Sequence, residues 1–232
     1  MCGIAGFCNF TGDIEKNIAA MCEALRHRGP DAGGVWLSAD RTVVLGHRRL
    51  RIIDLTETGA QPMPSASGRY VITFNGEIYN YQKIAEKLQR EKKVASFRGT
   101  SDTEVLLEAI EAYGLKETLA LCKGMFAFAL YDTQERTLYL ARDRVGEKPL
   151  YYGRVGGAFV FASELGALTA LAGFDNAINT DVLSLYFIHG YVPAPYSIYQ
   201  DIYKLEAGTF LTIAPPYREG RAETYWSIKE VA

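Results

Sequence analysis

The chain starts as though its first residues belonged in its core. Residues 2–9 alternate small and apolar side chains, with glycines at 3 and 6. That is the pattern of a buried strand at which neighbouring backbones approach closely. Its first residue, Cys2, directly follows Met1 and has two readings. A free cysteine often packs as a small hydrophobe. Removal of Met1 would instead give Cys2 a thiol and the chain's own α-amine together. An unperturbed thiol titrates near ~8.5 and an α-amine near ~7.7–8, so the amine is a tethered base beside a nucleophile.

The remaining pattern is mixed. Ile14, Ile18, Met21, Cys22 and Leu25 predict an amphipathic helix over 14–26, stopped by Gly29-Pro30. Strands are expected near 34–38 and 42–48, followed by the cationic stretch Gly46–Asp54. Gln61-Pro62-Met63-Pro64 and residues 65–68 read as a loop. Tyr70–Phe74 is a strand by composition, ending at Asn75-Gly76, the commonest tight-turn dipeptide. Helices are expected over 80–90 and 102–113, the second opened by the capping box Ser101-Asp102-Thr103-Glu104. Strands follow at 124–132, 136–142, 150–154 and 158–162, with a charged loop Arg142–Pro149 to which the sequence assigns a structural role. A short helix begins near 164. Consecutive strands with helices grouped between them indicate α+β with antiparallel sheets. Beyond 175 the character changes: a helix over 180–189, a proline-rich stretch, then strand-like pieces at 202–205 and 209–213. Residues 1–175 are therefore read as the core and 176–232 as an extension.

Bulk properties narrow the function. With 232 residues, 48% hydrophobic and 22% charged, the chain is an ordinary globular protein long enough for a real core. A formal charge of −2 gives no reason to expect nucleic acid or an anionic membrane. No apolar run approaches a membrane span and no signal peptide is visible, which points to the cytoplasm. Cys2, Cys8, Cys22 and Cys122 are scattered, and His27, His47 and His189 are far apart. Neither a disulfide framework nor a metal site is expected.

Four positions carry paired readings. Asn75-Gly76 is a hairpin turn, or an oxyanion hole in which the amide of Asn75 and a backbone N–H donate while Gly76 admits a substrate to the main chain. Arg49 is a surface charge, or a bidentate clamp on a carboxylate. Asp102 is an acidic residue favoured in a helix's first turn, or a counter-ion for an ammonium. Together with Cys2, the functional alternatives describe a site for an α-amino acid with a reactive acyl group.

These residues carry a resemblance. Met1–Gly6, Arg26–Asp31, His47–Leu50, Gln61–Met63, Phe74–Asn80, Ser101–Glu104, Gly124–Asp132, Arg142–Arg144 with Pro149–Tyr152, and Ala162–Glu164 occur in this order. They are similar to the glutaminase domain of class II glutamine amidotransferases of the asparagine synthetase branch. The resemblance implies a four-layer αββα N-terminal-nucleophile hydrolase sandwich with two antiparallel sheets. It implies that L-glutamine is attacked by Cys2 with its α-amine as base, that Asn75 and Gly76 hold the oxyanion, that Arg49 binds the α-carboxylate with backbone help from Leu50, Arg51, Ile52 and Ile53, and that Glu77 and Asp102 hold the α-amine. No cofactor is expected in this domain. Family members continue into an ATP-using synthetase domain with a Ser-Gly-Gly-x-Asp-Ser signature, which this chain lacks. ATP and Mg, and the ammonia acceptor, belong to that second domain, the expected partner on the same polypeptide. A homodimer, an acceptor other than aspartate, and a non-catalytic binding module on the same fold remain alternatives.

Overall fold

The computed structural model describes residues 1–230, so the last two positions of the 176–232 extension lie outside the described residues. In chain order the first half forms β1 (Gly3–Cys8), α1 (Ile14–Ala24), β2 (Ala32–Leu37), β3 (Val43–Arg49), β4 (Met63–Pro64), β5 (Tyr70–Ile78), α2 (Tyr81–Arg90), α3 (Asp102–Tyr113) and α4 (Leu115–Leu121). The second half forms β6 (Gly124–Asp132), β7 (Thr137–Arg142), β8 (Tyr151–Val155), β9 (Ala158–Ala162), α5 (Leu165–Thr169), α6 (Thr180–His189), β10 (Ile202–Lys204), β11 (Thr209–Ile213) and β12 (Arg221–Thr224).

The strands make two antiparallel sheets, ordered β10-β8-β9-β1-β3-β2 and β12-β11-β7-β6-β5-β4. Strand periodicity sorts their side chains into layers. Ala5, Phe7, Val44 and Val160 of the first sheet pack under α1 and α5. Ile72, Phe74, Phe126, Phe128 and Leu130 of the second pack under α2, α3 and α4. The alternate residues, Ile4, Cys8, Val43 and Leu45 from one sheet and Val71, Ala127, Ala129 and Leu211 from the other, meet in the middle. The result is the expected αββα sandwich.

Two of the helices start where the sequence provides a side-chain cap. The Asp13 side chain accepts the Lys16 N–H ahead of α1, and the Ser101 hydroxyl accepts the Thr103 and Glu104 N–H groups ahead of α3. Polar bonds pin the sheets to one another: His47 Nε2 donates to the Phe74 carbonyl at 3.1 Å, and the Thr73 hydroxyl donates to the Gly46 carbonyl at 3.2 Å.

Three sequence expectations change. Asn75-Gly76 is not a hairpin turn. β5 runs on to Ile78, pairing Asn75 with Ala127 and Gly76 with Phe126. The local dipeptide signal loses to a nine-residue partner strand, and the chain reverses later, where Asn80 Nδ2 donates to the Leu121 carbonyl. Residues 61–64 are not wholly loop, since Met63–Pro64 is an edge strand on β5. Nor is residue 175 a packing boundary. β10 extends the first sheet and β11 and β12 the second, with Ile202, Phe210, Leu211 and Ile213 buried in all three hydrophobic layers.

Candidate active site

The alternation that builds the sandwich also aims its polar groups. On β1 the even residues face the second sheet, so Cys2, just ahead of the strand, continues the row of Ile4 and Cys8. On β3 the row Val43, Leu45, His47 ends in Arg49. On β5 the row Val71, Thr73 ends in Asn75, which faces the first sheet. These three side chains therefore converge at one end of the space between the sheets. The N-terminus of α3 closes that end, because Asp102 Oδ2 accepts the Ile78 N–H at 2.8 Å. A cavity of about 110 Å³ lies there, and its walls include Cys2, Arg49, Asn75 and Asp102.

Cys2 is half-buried. Its sulfur receives the Leu50 N–H at 3.4 Å, and the thiol faces the Leu50 carbonyl at 3.7 Å. Burial raises its pKa, opposed by the Leu50 contact and by the positive N-terminus, Arg49 and Arg28. Arg28 Nε donates to the Cys2 carbonyl at 2.9 Å while its guanidinium is paired with Glu164 at 2.6 Å. Met1 is attached, so the nitrogen of Cys2 is an amide. The other thiols are remote from this chemistry: burial pushes Cys22 up to about 11 and Cys122 up to about 12, and raises Cys8 further.

Asn75 is buried, and its side-chain Nδ2 has no hydrogen-bond partner among the described residues. The Gly76 N–H faces the cavity by strand alternation. Phe126 turns its N–H and C=O toward Asp143 on the far side, so its pairing with Gly76 is of the non-hydrogen-bonded kind. The N–H groups two residues either side of Gly76 go to cavity-lining side chains, Phe74 to Gln61 Oε1 at 2.6 Å and Ile78 to Asp102. Gly76 has a further reason to be glycine. A β-carbon there would lie 2.3 Å from the Met125 carbonyl oxygen of the next strand.

Arg49 is buried, not a surface charge. Its guanidinium donates to the carbonyls of Thr56, at 2.9 Å, and Asp54, so it also organises the loop that follows β3. A β-carbon on Gly59 would occupy the place of its Nη2. Asp54 turns this loop into a knot, accepting the Thr56 N–H and the hydroxyls of Thr56 and Thr58. Burial works against its charge, but these bonds outweigh burial and hold the carboxyl below the usual range. Asp102 is the opposite case. Burial raises its pKa to about 6, and the N–H bonds from Ile78 and Thr103 only partly offset that.

Leu50, Ile52, Ile53 and Glu77 line the cavity as expected, but Arg51 does not. Its N–H is taken by Asp31 Oδ2 and its guanidinium by Glu57, both outside the cavity. His47 is buried, and burial lowers its pKa to about 4, so it is neutral and spent on the Phe74 carbonyl. Among the described residues no group of His, Cys, Asp and Glu converges as a metal-ligand set. Sequence reasoning missed the parts played by Gln61, Asp54, Gly59 and Lys148, all in the cavity wall. The Asp-x-Thr-x-Thr spacing at 54–58 was a legible signal for a side-chain-locked loop. Nothing in the sequence near Lys148 points to the cavity.

Comparison with known proteins places this arrangement. A family model described as a glutamine amidotransferase domain matches residues 1–226. A putative glutamine-hydrolyzing asparagine synthetase 2 of Methanocaldococcus jannaschii is 36% identical over 99% of this chain and 47% of its own length. The glutamine-hydrolyzing asparagine synthetase 1 of Bacillus subtilis is 40% identical over 93% of this chain and 34% of its own length. The chain thus spans between about a third and a half of these curated relatives. Among solved structures, the glutamine phosphoribosylpyrophosphate amidotransferase from B. subtilis superposes with TM-score 0.70 at 20% identity, over 97% of this chain and 49% of the other. A glutamine aminotransferase class-II domain protein from Silicibacter pomeroyi superposes with TM-score 0.52 at 16% identity, over 98% and 100%. These two likenesses concern the fold.

Proposed function

Because this chain belongs to the glutamine amidotransferase domain family, and to its asparagine-synthetase-like members, we propose that it hydrolyses L-glutamine to L-glutamate and ammonia at Cys2. Once Met1 is removed, the α-amine of Cys2 takes the thiol proton and the sulfur attacks the side-chain amide carbon of glutamine. The carbonyl electrons move onto oxygen. The oxyanion meets Asn75 Nδ2 and the Gly76 N–H. Collapse expels ammonia, which carries the proton returned by the amine, and leaves a thioester. Water, deprotonated by the same amine, attacks the thioester through a second oxyanion in the same place. The sulfur leaves as the thiol and glutamate is released.

The observation that carries this reading is the orphaned amide of Asn75. A buried donor without a partner costs a fold about 1–3 kcal/mol. A transient oxyanion supplies the partner at the moment when charge develops. Asp102 and Glu77 receive the substrate ammonium. Arg49 receives the carboxylate, with the N–H groups of Leu50, Ile52 and Ile53. Every group in these steps belongs to this chain. The ammonia then serves an ATP- and Mg-dependent ligase domain outside this chain, with aspartate as acceptor by analogy with the synthetase relatives. A relative named amidase chry2 of Gibberella zeae, 32% identical over 99% of this chain and 35% of its own length, supports a different acceptor as the second reading. Among the described residues no helix is long and apolar enough to cross a membrane, and we place the enzyme in the cytoplasm.

The test is glutamate release without ATP, on protein whose N-terminus is confirmed as Cys2 by mass spectrometry. Release is expected, abolished by Cys2→Ala and reduced about 10²–10⁴-fold when Met1 is retained, the usual worth of a general base. Equal rates with and without Met1 would mean that another base serves the site.

A further inference from the structure

The charged loop between β7 and β8 was assigned no chemical task by its sequence, yet it is densely hydrogen-bonded and one of its side chains lines the cavity. Asp143 is fully buried, and its carboxylate accepts N–H groups from Phe126, Val145, Glu147 and Lys148 at 2.9–3.2 Å. Arg142 donates to the carbonyls of Gly146, Lys148 and Leu205. Two charged side chains thus clamp the backbone of Lys148 from both sides. The Lys148 side chain lies in the cavity wall with Cys2 and is only 6% exposed. Among the described residues its ammonium forms no ion pair, and its one hydrogen-bond acceptor is the thioether of Met1 at 3.4 Å. A thioether is a weak acceptor. Met1 is the residue whose departure frees the α-amine.

We propose that Lys148 is a positioning residue for the Cys2 base: its backbone is anchored and its side chain is buried in the cavity wall, so once Met1 is removed its ammonium faces the freed α-amine and disfavours that amine's protonation. The inference rests on the glutaminase reading above. Its physics is the general one, that a like charge nearby opposes formation of the charged form. The other charged groups around the amine do not duplicate it. Arg28 on the Cys2 carbonyl is neutralised by Glu164, which also holds His27 at 3.0 Å. Arg49 is committed to two loop carbonyls. Asp102, Glu77 and Asp54 line the cavity as the acidic groups. Among the described residues Lys148 is the cation in this wall with neither a carboxylate nor a carbonyl on its charge.

The experiment is the pH profile of glutaminase kcat/KM on processed protein, for wild type, Lys148→Met and Lys148→Arg. Methionine keeps the length and apolar stem, and arginine keeps the charge. Lys148→Met is expected to move the acid limb up by about one pH unit, a tenfold loss at low pH with the alkaline plateau retained. Lys148→Arg is expected to leave the limb in place. An unmoved limb in active Lys148→Met overturns the proposal, as does a rise in KM alone, which would make Lys148 a carboxylate binder. A second measurement needs no activity: NMR titration of the residue 2 α-amine in Cys2→Ala, with and without Lys148→Met. The amine pKa should rise on loss of the lysine, and an unchanged value overturns the proposal. Wild type that releases no glutamate would sink the functional reading instead, leaving the amine titration to decide this one.

Discussion

Asp102 weakens the folded protein it helps to make useful. Its carboxyl titrates near 6 in the fold against 3.8 for an unperturbed group. At 1.36 kcal/mol per unit this costs about 3 kcal/mol of stability at neutral pH. The folded state binds the proton more tightly, so the contribution is most favourable below 3.8 and is lost as the pH rises through about 6. Asp102→Asn keeps an acceptor for the Ile78 N–H and removes the charge. It should raise Tm by about 5–10 °C at pH 7.5, with the gain shrinking between pH 6 and pH 4, while the KM for glutamine rises. Equal stabilisation at both ends of that range would show that the burial cost is misassigned. On the proposed function a substrate ammonium recovers the cost in the wild type, so KM should fall as the pH rises through about 6. Asn75 follows the same logic. Asn75→Ala removes a buried donor with no partner, so it should not destabilise the fold, yet kcat should drop about 10²–10³-fold with KM changed much less. A KM effect alone would place Asn75 on the ground-state substrate. That Cys2, Arg49, Asn75 and Asp102 line one cavity was legible because each sits in a short motif whose residue types suit one chemistry. Lys148 and Gln61 were not, because their place in the cavity follows from pairings with residues far away in the chain.

At the scale of elements, the site is a set of strand ends and one helix start held in register by the pairings behind them. The segment after β3 has no regular structure of its own beyond a single turn over Glu57–Gly59, and its shape comes from the guanidinium of Arg49 and the carboxylate of Asp54. Gly59→Ala is expected to push that guanidinium aside, since the new β-carbon would sit 2.1 Å from Nη2. Loss of one charge-assisted contact to a carboxylate, worth about 1.5–3 kcal/mol, should raise the KM for glutamine at least tenfold with kcat changed less. Unchanged kinetics in a folded Gly59→Ala protein would free Arg49 from its substrate role. Arg49→Ala is the blunter probe, because it removes both the clamp and the support of the loop. The reading of Asn75-Gly76 as a turn failed at this scale. Turn dipeptides report local preference, whereas the course of β5 is decided by a partner strand beginning at Gly124. The caps of α1 and α3 are local in cause, yet only that at Ser101 was read from the sequence, and there the Glu104 carboxylate takes the N–H groups of Arg98 and Gly99 in place of that of Ser101.

Over the whole molecule the late strands decide whether either sheet is finished. β10 covers the edge of β8, and β11 covers the edge of β7. Arg142 needs the Leu205 carbonyl to complete its set. A chain ending at residue 175 should therefore expose two sheet edges and their apolar layers, and aggregate or fail to unfold cooperatively. The chain through 230 should give a single transition by circular dichroism. A soluble, cooperative 1–175 fragment would restore the boundary that the sequence suggested. That boundary was drawn from a change of composition, which reports how a stretch looks rather than what it packs against. The central place of β1 has a further consequence in time. Its partners are β3 and β9, the second ending at Ala162. At about 5–20 residues per second of synthesis, the first strand waits on the order of ten seconds or more before its second neighbour exists. During that interval β1 lacks the neighbour that completes its sheet, and the apolar row of Ala5 and Phe7 has no Val160 or Ala162 to pack beside.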